Sequence, residues 1–219
     1  MPKLTEEKKA LVDQFIRDKV YSQAKKLLQL HRVNLFTMTE LADQMGVAKG
    51  TLYNYFEDKQ AVIIYVCKRI NEELLARIQE HVAQQPEAYV ENLRYIYRTY
   101  IEAMQSNQFM DLASMTLQLD LLKKGEAAKQ STPVYDEIIQ KNRRFLLDFL
   151  AAGQRAGVFK SFPVESMAAF VSVQFWGIKG YCMAQRTDFY SSPHMRDLID
   201  DAESLLLEAI CVEPPTRKL

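Results

Sequence analysis

Apolar residues recur along most of this chain at spacings of three and four, the signature of amphipathic helices. Between 86 and 105 they are Tyr89, Leu93, Ile96, Tyr100 and Ala103. Between 133 and 157 they are Ile138, Phe145, Phe149, Ala152 and Ala156, with Leu146 and Leu150 widening the stripe. Near the end they are Met195, Leu198, Ala202, Leu205 and Ala209. No run alternates with a period of two between turn residues, so no strand is expected. Prolines punctuate the pattern at Pro86, Pro133, Pro163, Pro193 and Pro214–Pro215. Proline breaks helix interiors but suits a first turn, and Thr132-Pro133 and Ser192-Pro193 read as N-cap and first helical residue. The pattern predicts helices over about 6–30, 38–45, 48–54, 58–84, 87–105, 109–123, 133–156, 163–187 and 194–212. An all-α fold of about nine helices follows.

The segment 37–59 carries the most specific local signals. Thr37-Met38-Thr39-Glu40 fits a capping box, in which the threonine hydroxyl and the glutamate each satisfy an orphan amide of the first turn. Leu41, Ala42 and Met45 give the helix an apolar side, and Gly46 is placed to end it in the left-handed conformation. A second short helix then reads AKGTLYNYF. Leu52 and Phe56, four apart, face a core, while Lys49, Thr51, Asn54 and Tyr55 fall on other faces. Two short helices joined by a tight glycine turn form a helix-turn-helix. A cation, a hydroxyl, an amide and a phenol are groups that bond phosphates or base edges. Gly50 inside a helix costs about 1 kcal/mol relative to alanine, and its missing side chain permits close approach of the backbone to DNA. Lys59, at the start of the next helix, completes a phosphate-binding pattern. Outside this context Lys49 and Lys59 read as solvated surface charges, and Tyr53 as a core aromatic beside Leu52.

Composition narrows the picture. The net charge is zero and 26% of residues are charged, which excludes a protein that coats nucleic acid by bulk charge. Residues 1–60 carry ten Lys/Arg against eight Asp/Glu, so DNA binding rests on a local patch. Cys67, Cys182 and Cys211 are far apart and form no CxxC pair, so buried thiols in a reducing cytoplasm are expected rather than a disulfide framework. His31, His81 and His194 have no ligand spacing, so no metal is expected. No nucleophile elbow, phosphate loop or HExxH is present, so no catalytic residue and no cofactor is expected. The start, MPKLTEEKKALVDQF, has no continuous apolar segment, and Ser166 to Ile178 is too short to span a membrane.

Residues from about Ile16 to Val66, above all GVAKGTLYNYFEDKQAV, resemble the DNA-binding domain of the tetracycline-repressor (TetR) family. Gly46, Gly50, Thr51, Leu52, Tyr53, Tyr55, Phe56 and Lys59 stand where that family's motif has them, and SQAKKLLQL is similar to its first helix. Two departures exist: LHRVN (30–34) lacks the family's glycine after the first helix, and Ala48 replaces a frequent serine. The resemblance implies a DNA-binding domain over 1–58 and a helical effector-binding and dimerisation domain over 59–219. It implies a cytoplasmic homodimer that binds double-stranded operator DNA and is released by a small-molecule effector. Thr37, Thr39, Lys49, Gly50, Thr51, Tyr53, Asn54, Tyr55 and Lys59 are the expected DNA-contacting set.

For the body, small residues at Ala169, Val173, Gly177 and Gly180, with Leu198, Ala202, Leu205 and Ala209, are the expected dimer face; packing within one subunit is the bland alternative. Tyr100, Met104, Met115, Gln118, Phe145, Phe149, Gln174 and Trp176 are the expected effector lining, although such a set is more often plain core. Two other readings compete. A helical protein-interaction module predicts no specific DNA binding, and an enzyme with a site in the helical body lacks any supporting constellation.

Overall fold

The computed structural model describes residues 6–30, 36–106, 133–184 and 193–213. Eight helices fall within them: α1 (Glu6–Leu30), α2 (Met38–Met45), α3 (Lys49–Tyr53), α4 (Lys59–Gln84), α5 (Tyr89–Ser106), α6 (Pro133–Arg155), α7 (Val164–Ala184) and α8 (Pro193–Ile210). The helix expected over 109–123 and the turn at 30–34 lie outside the described residues, save for Leu30 at the end of α1. No strand occurs among the described residues; one isolated bridge joins Phe159 to Cys211. None of their helices is long and apolar enough to cross a membrane. The described residues divide into two compact units, one comprising residues 6–71 with residues 133–135 and the other Glu72–Ser106 and residues from Asp136. The division falls inside α4.

The first unit packs α1, α2, α3 and the opening turns of α4 around one core. From α1 come Ile16, Val20, Ala24, Leu27 and Leu28; from α2, Leu41, Ala42 and Met45; from α4, Val62, Ile63 and Val66. The spacing on α1 is that of a single buried stripe. Ala42 is 2% exposed, and a small side chain there lets neighbouring helices approach closely. Two contacts fix the register of α1. Lys19 donates from Nζ to the Met45 carbonyl at 3.0 Å, placing a cation at the C-terminus of α2. Asp18 pairs with Arg69 of α4, whose guanidinium also lies 4.3 Å from the centre of the Tyr21 ring.

The second unit has its own core, in which Ile78, Leu93, Ile96, Tyr97, Phe149, Phe159, Val171, Ile199 and Leu206 take part. Gly157, at φ 72°, ends the turn after α6, and the chain then doubles back so that Phe159 lies on Gly153. α8 differs from its expected stripe. The buried face is Met195, Ile199, Glu203, Leu206, Leu207 and Ile210, while Leu205 is 54% exposed. The reason lies in α5. Arg94 Nε bonds Glu203 at 3.0 Å, and Arg98 pairs with both Glu203 and Asp200. A buried carboxylate is tolerable only when paired, and two arginines one turn apart meet that requirement. Tyr97 adds a hydrogen bond from its hydroxyl to the Ile199 carbonyl at 3.3 Å.

Candidate nucleic-acid interface

The helix-turn-helix is assembled from the local chemistry its sequence carries. The Thr37 hydroxyl accepts the Glu40 amide at 3.1 Å, and the Glu40 carboxylate accepts the Thr37 amide at 2.6 Å. Both halves of the capping box are therefore present. Gly46 sits at φ 67°, ψ 34°, and the Val47 amide reaches back to the Ala42 carbonyl at 3.0 Å. This is the bonding of a Schellman termination, which favours glycine at the left-handed position. Ala48 starts α3 in an extended conformation without a side-chain cap, as its lack of a hydroxyl dictates.

On α3, Leu52 is fully buried and Phe56 just beyond it is 5% exposed. Lys49, Gly50, Tyr53 and Asn54 point to solvent, and Thr51 is half-buried. The Lys49 ammonium lies 5.8 Å from the centre of the Tyr53 ring, so the two form a cation–aromatic pair on the outer face. A Cβ built on Gly50 meets nothing within 4 Å. No packing within the described residues thus requires a glycine here. Thr37 and Thr39 are exposed at the start of α2. Lys59 is half-buried at the first position of α4. There Asp58 already accepts the Ala61 amide at 2.8 Å, so a carboxylate caps the helix end beside that lysine.

Tyr53 and Tyr55, both in the expected DNA-contacting set, sit in different surroundings. Tyr53, whose other reading was a core aromatic, is 47% exposed. Tyr55 is half-buried and packs against the core, with the Arg17 guanidinium 5.8 Å from its ring centre. Its hydroxyl donates to Asp13 Oδ1 of α1 at 2.9 Å. That bond pushes the Tyr55 phenol above its usual pKa, because an adjacent carboxylate opposes phenolate formation. Arg17 also lies 5.5 Å from Phe56 and 5.8 Å from Tyr65. Sequence reasoning passed over Asp13 and Arg17. They lie about forty residues from their aromatic partners, and no local spacing signals the contact.

In the second unit, Tyr100, Met104, Phe145 and Phe149 of the expected effector set pack in or against one core. Tyr100 meets Phe175 at 5.0 Å between ring centres, and Phe145 stacks on Phe149 at 6.4 Å. Burial pushes the Tyr100 phenol up to about 12. Gln174 is half-buried. Met115, Gln118 and the Trp176 side chain lie outside the described residues. On the expected dimer face, Ala169, Val173, Gly177 and Gly180 are exposed, together with Phe170 and Tyr181. Cβ atoms built on Gly177 and Gly180 meet nothing within 4 Å. On α8, Leu205 is exposed, whereas Leu198, Ala202 and Ala209 are half-buried. Cys67 and Cys211 are buried.

Residues 20–66 match the family model described as bacterial regulatory proteins, tetR family. No curated protein matches the chain significantly. Solved structures do match along nearly the whole length. The ketosteroid regulator KstR2 of Mycobacterium tuberculosis is 18% identical with a TM-score of 0.61, over 90% of this chain and 95% of that one. The regulator FadR of Bacillus subtilis, solved with stearoyl-CoA, is 17% identical with a TM-score of 0.66, over 87% and 97%. A protein assigned as a transcriptional regulator from Saccharomonospora viridis, solved with choline, is 15% identical with a TM-score of 0.68, over 91% and 100%. At such identities the likeness is one of fold. Residues 20–66 thus match the tetR family of bacterial regulatory proteins, and the chain that carries them shares the fold of solved transcription regulators.

Proposed function

We propose that this protein is a homodimeric, cytoplasmic repressor that inserts α3 into the major groove of operator DNA and leaves it when a small molecule binds the second unit. The observation that carries the DNA reading is the division of α3. Leu52 anchors the helix, and Lys49, Tyr53 and Asn54 face outward beside a glycine that no packing among the described residues requires. Lys49 and the exposed threonines of α2 serve phosphates, and Asn54 and Thr51 are groups able to read base edges. Lys59 adds a cation next to the Asp58 cap.

The dimer reading rests on α7. Ala169, Val173, Gly177 and Gly180 with Phe170 and Tyr181 form an apolar, small-residue face that a lone subunit leaves in water. A second copy of the same helix covers it and supplies the second α3 needed for half-sites about 34 Å apart. Stearoyl-CoA and choline, bound by neighbours of the same fold, share little chemistry. The fold therefore admits an effector without naming one. The aromatic and methionine residues around Tyr100 favour an apolar one. Binding there lowers operator affinity by favouring a head spacing the operator does not fit.

The test is selection of bound duplexes from random-sequence DNA, followed by binding to the recovered sequence. Wild-type protein is expected to enrich a two-fold symmetric site, and Lys49→Ala with Asn54→Ala to lose it while remaining dimeric. Failure to enrich any sequence supports the protein-interaction reading instead.

A further inference from the structure

The hydroxyl of Tyr55 carries one proton, and Asp13 holds it. Tyr55 follows α3 directly, and its ring is fixed from behind by the core and by Arg17. A phenol at this edge of the helix-turn-helix is placed to donate to a DNA phosphate. It cannot donate the same proton to a phosphate and to a carboxylate. Asp13 sits one turn before Arg17 on α1, and among the described residues no ion pair neutralises it. Arg17 stands nearest along the helix, but its guanidinium is spread over the rings of Tyr55, Phe56 and Tyr65. The carboxylate therefore stands beside the hydroxyl with no side chain bonded to it as an ion pair among the described residues.

We propose that Asp13 is a built-in brake on DNA binding: it competes with a backbone phosphate for the Tyr55 hydroxyl and sets a negative charge against the duplex at that point. The inference rests on the DNA-binding reading above. Its physical content is specific. A phosphate oxygen within hydrogen-bond reach of Tyr55 lies close to Asp13, and two like charges that near repel measurably even in water. Replacing the carboxylate by an amide leaves a weaker, neutral acceptor for the phenol proton, which the phosphate then outcompetes, and removes the repulsion as well. Asp13→Asn is expected to leave the fold of the first unit intact, because Asp13 is half-buried one turn before the buried stripe begins at Ile16 and the change alters its charge but hardly its shape.

The experiment uses the full chain and a duplex recovered by selection with the wild-type protein. Binding is measured for wild type, Asp13→Asn, Tyr55→Phe and the double variant at low and high salt, with thermal melting as the check on folding. Asp13→Asn is expected to bind about three- to tenfold more tightly at low salt. That gain shrinks as salt rises, since screening acts on charge and not on shape. In the Tyr55→Phe background the gain is smaller, because the competition for the proton is gone. Unchanged or weaker binding by Asp13→Asn overturns the proposal and makes Asp13 a group that merely positions Tyr55. An equal gain with and without the hydroxyl also overturns it. If wild type recovers no duplex, the DNA-binding reading itself fails, and the two failures are thereby separated.

Discussion

The two units are built from the same kind of amphipathic helix, yet they differ in what they leave outside. In the first, α3 buries Leu52 and turns a lysine and a tyrosine outward, with an asparagine exposed at its C-cap. In the second, α7 buries Met167, Ala168, Val171 and Ile178 and still turns Phe170, Val173 and Tyr181 outward. A polar outer face is stable in water and waits for a polar, charged partner. An apolar outer face costs free energy until it is covered. The contrast teaches that a helix has two readable faces. The inner one states how the unit folds, and the outer one states what kind of surface it is meant to meet.

Variants that attack each face separate the two roles. Leu52→Ala is expected to cost about 3 kcal/mol in denaturant unfolding, as for other fully buried leucines that leave a cavity, and to abolish DNA retention with it. In the second unit, Gly153→Ala drives a Cβ to within 2.2 Å of the Phe159 ring. Overpacking of this kind costs about 1–3 kcal/mol, readable as a lowered melting temperature. DNA contacts are then lost only through unfolding. The pH dependence of unfolding at alkaline pH reports on the same unit. Tyr100 titrates at about 12 when folded and at about 10 in an unfolded chain. The folded state holds this proton more tightly, so stability falls as pH rises from about 10 to 12. Tyr100→Phe is expected to flatten that fall. Thr37→Ala removes one half of the capping box and is expected to cost about 1 kcal/mol.

Gly50→Ala has the smallest effect on stability and sharpens the contrast most. The new methyl meets open space, so helix propensity alone is expected to stabilise the free protein by up to about 1 kcal/mol. The same methyl intrudes on the DNA side, so retention is expected to fall. Opposite signs in the melting and binding measurements mark Gly50 as a residue kept for a partner. Equal signs make it an accident of the helix.

Most of the first unit was legible in the sequence because its determinants are local. The capping box spans four residues, Gly46 ends α2 alone, and Leu52 and Phe56 lie one turn apart. What escaped was the environment of Tyr55. Its partners Asp13 and Arg17 come from α1, about forty residues away, and only tertiary packing brings them near. In the second unit the helices were legible and their faces were not. α8 carries apolar residues on two adjoining stripes, and periodicity alone selects the one without Glu203. The observed face includes Glu203 because Arg94 and Arg98 neutralise it from α5, a long-range fact. Around Phe149 the rings of Tyr89, Phe145 and Phe159 pack from three separate chain segments, which no local spacing signals.

The central claim is that α3 is the surface that meets DNA. The most direct measurement is the affinity of wild type and Lys49→Ala for a selected duplex across a range of salt. With the fold and dimer intact, Lys49→Ala is expected to bind more weakly at every salt concentration. Its log–log salt slope should be shallower by about one, the mark of one lost phosphate contact. An unchanged affinity and slope would contradict the account.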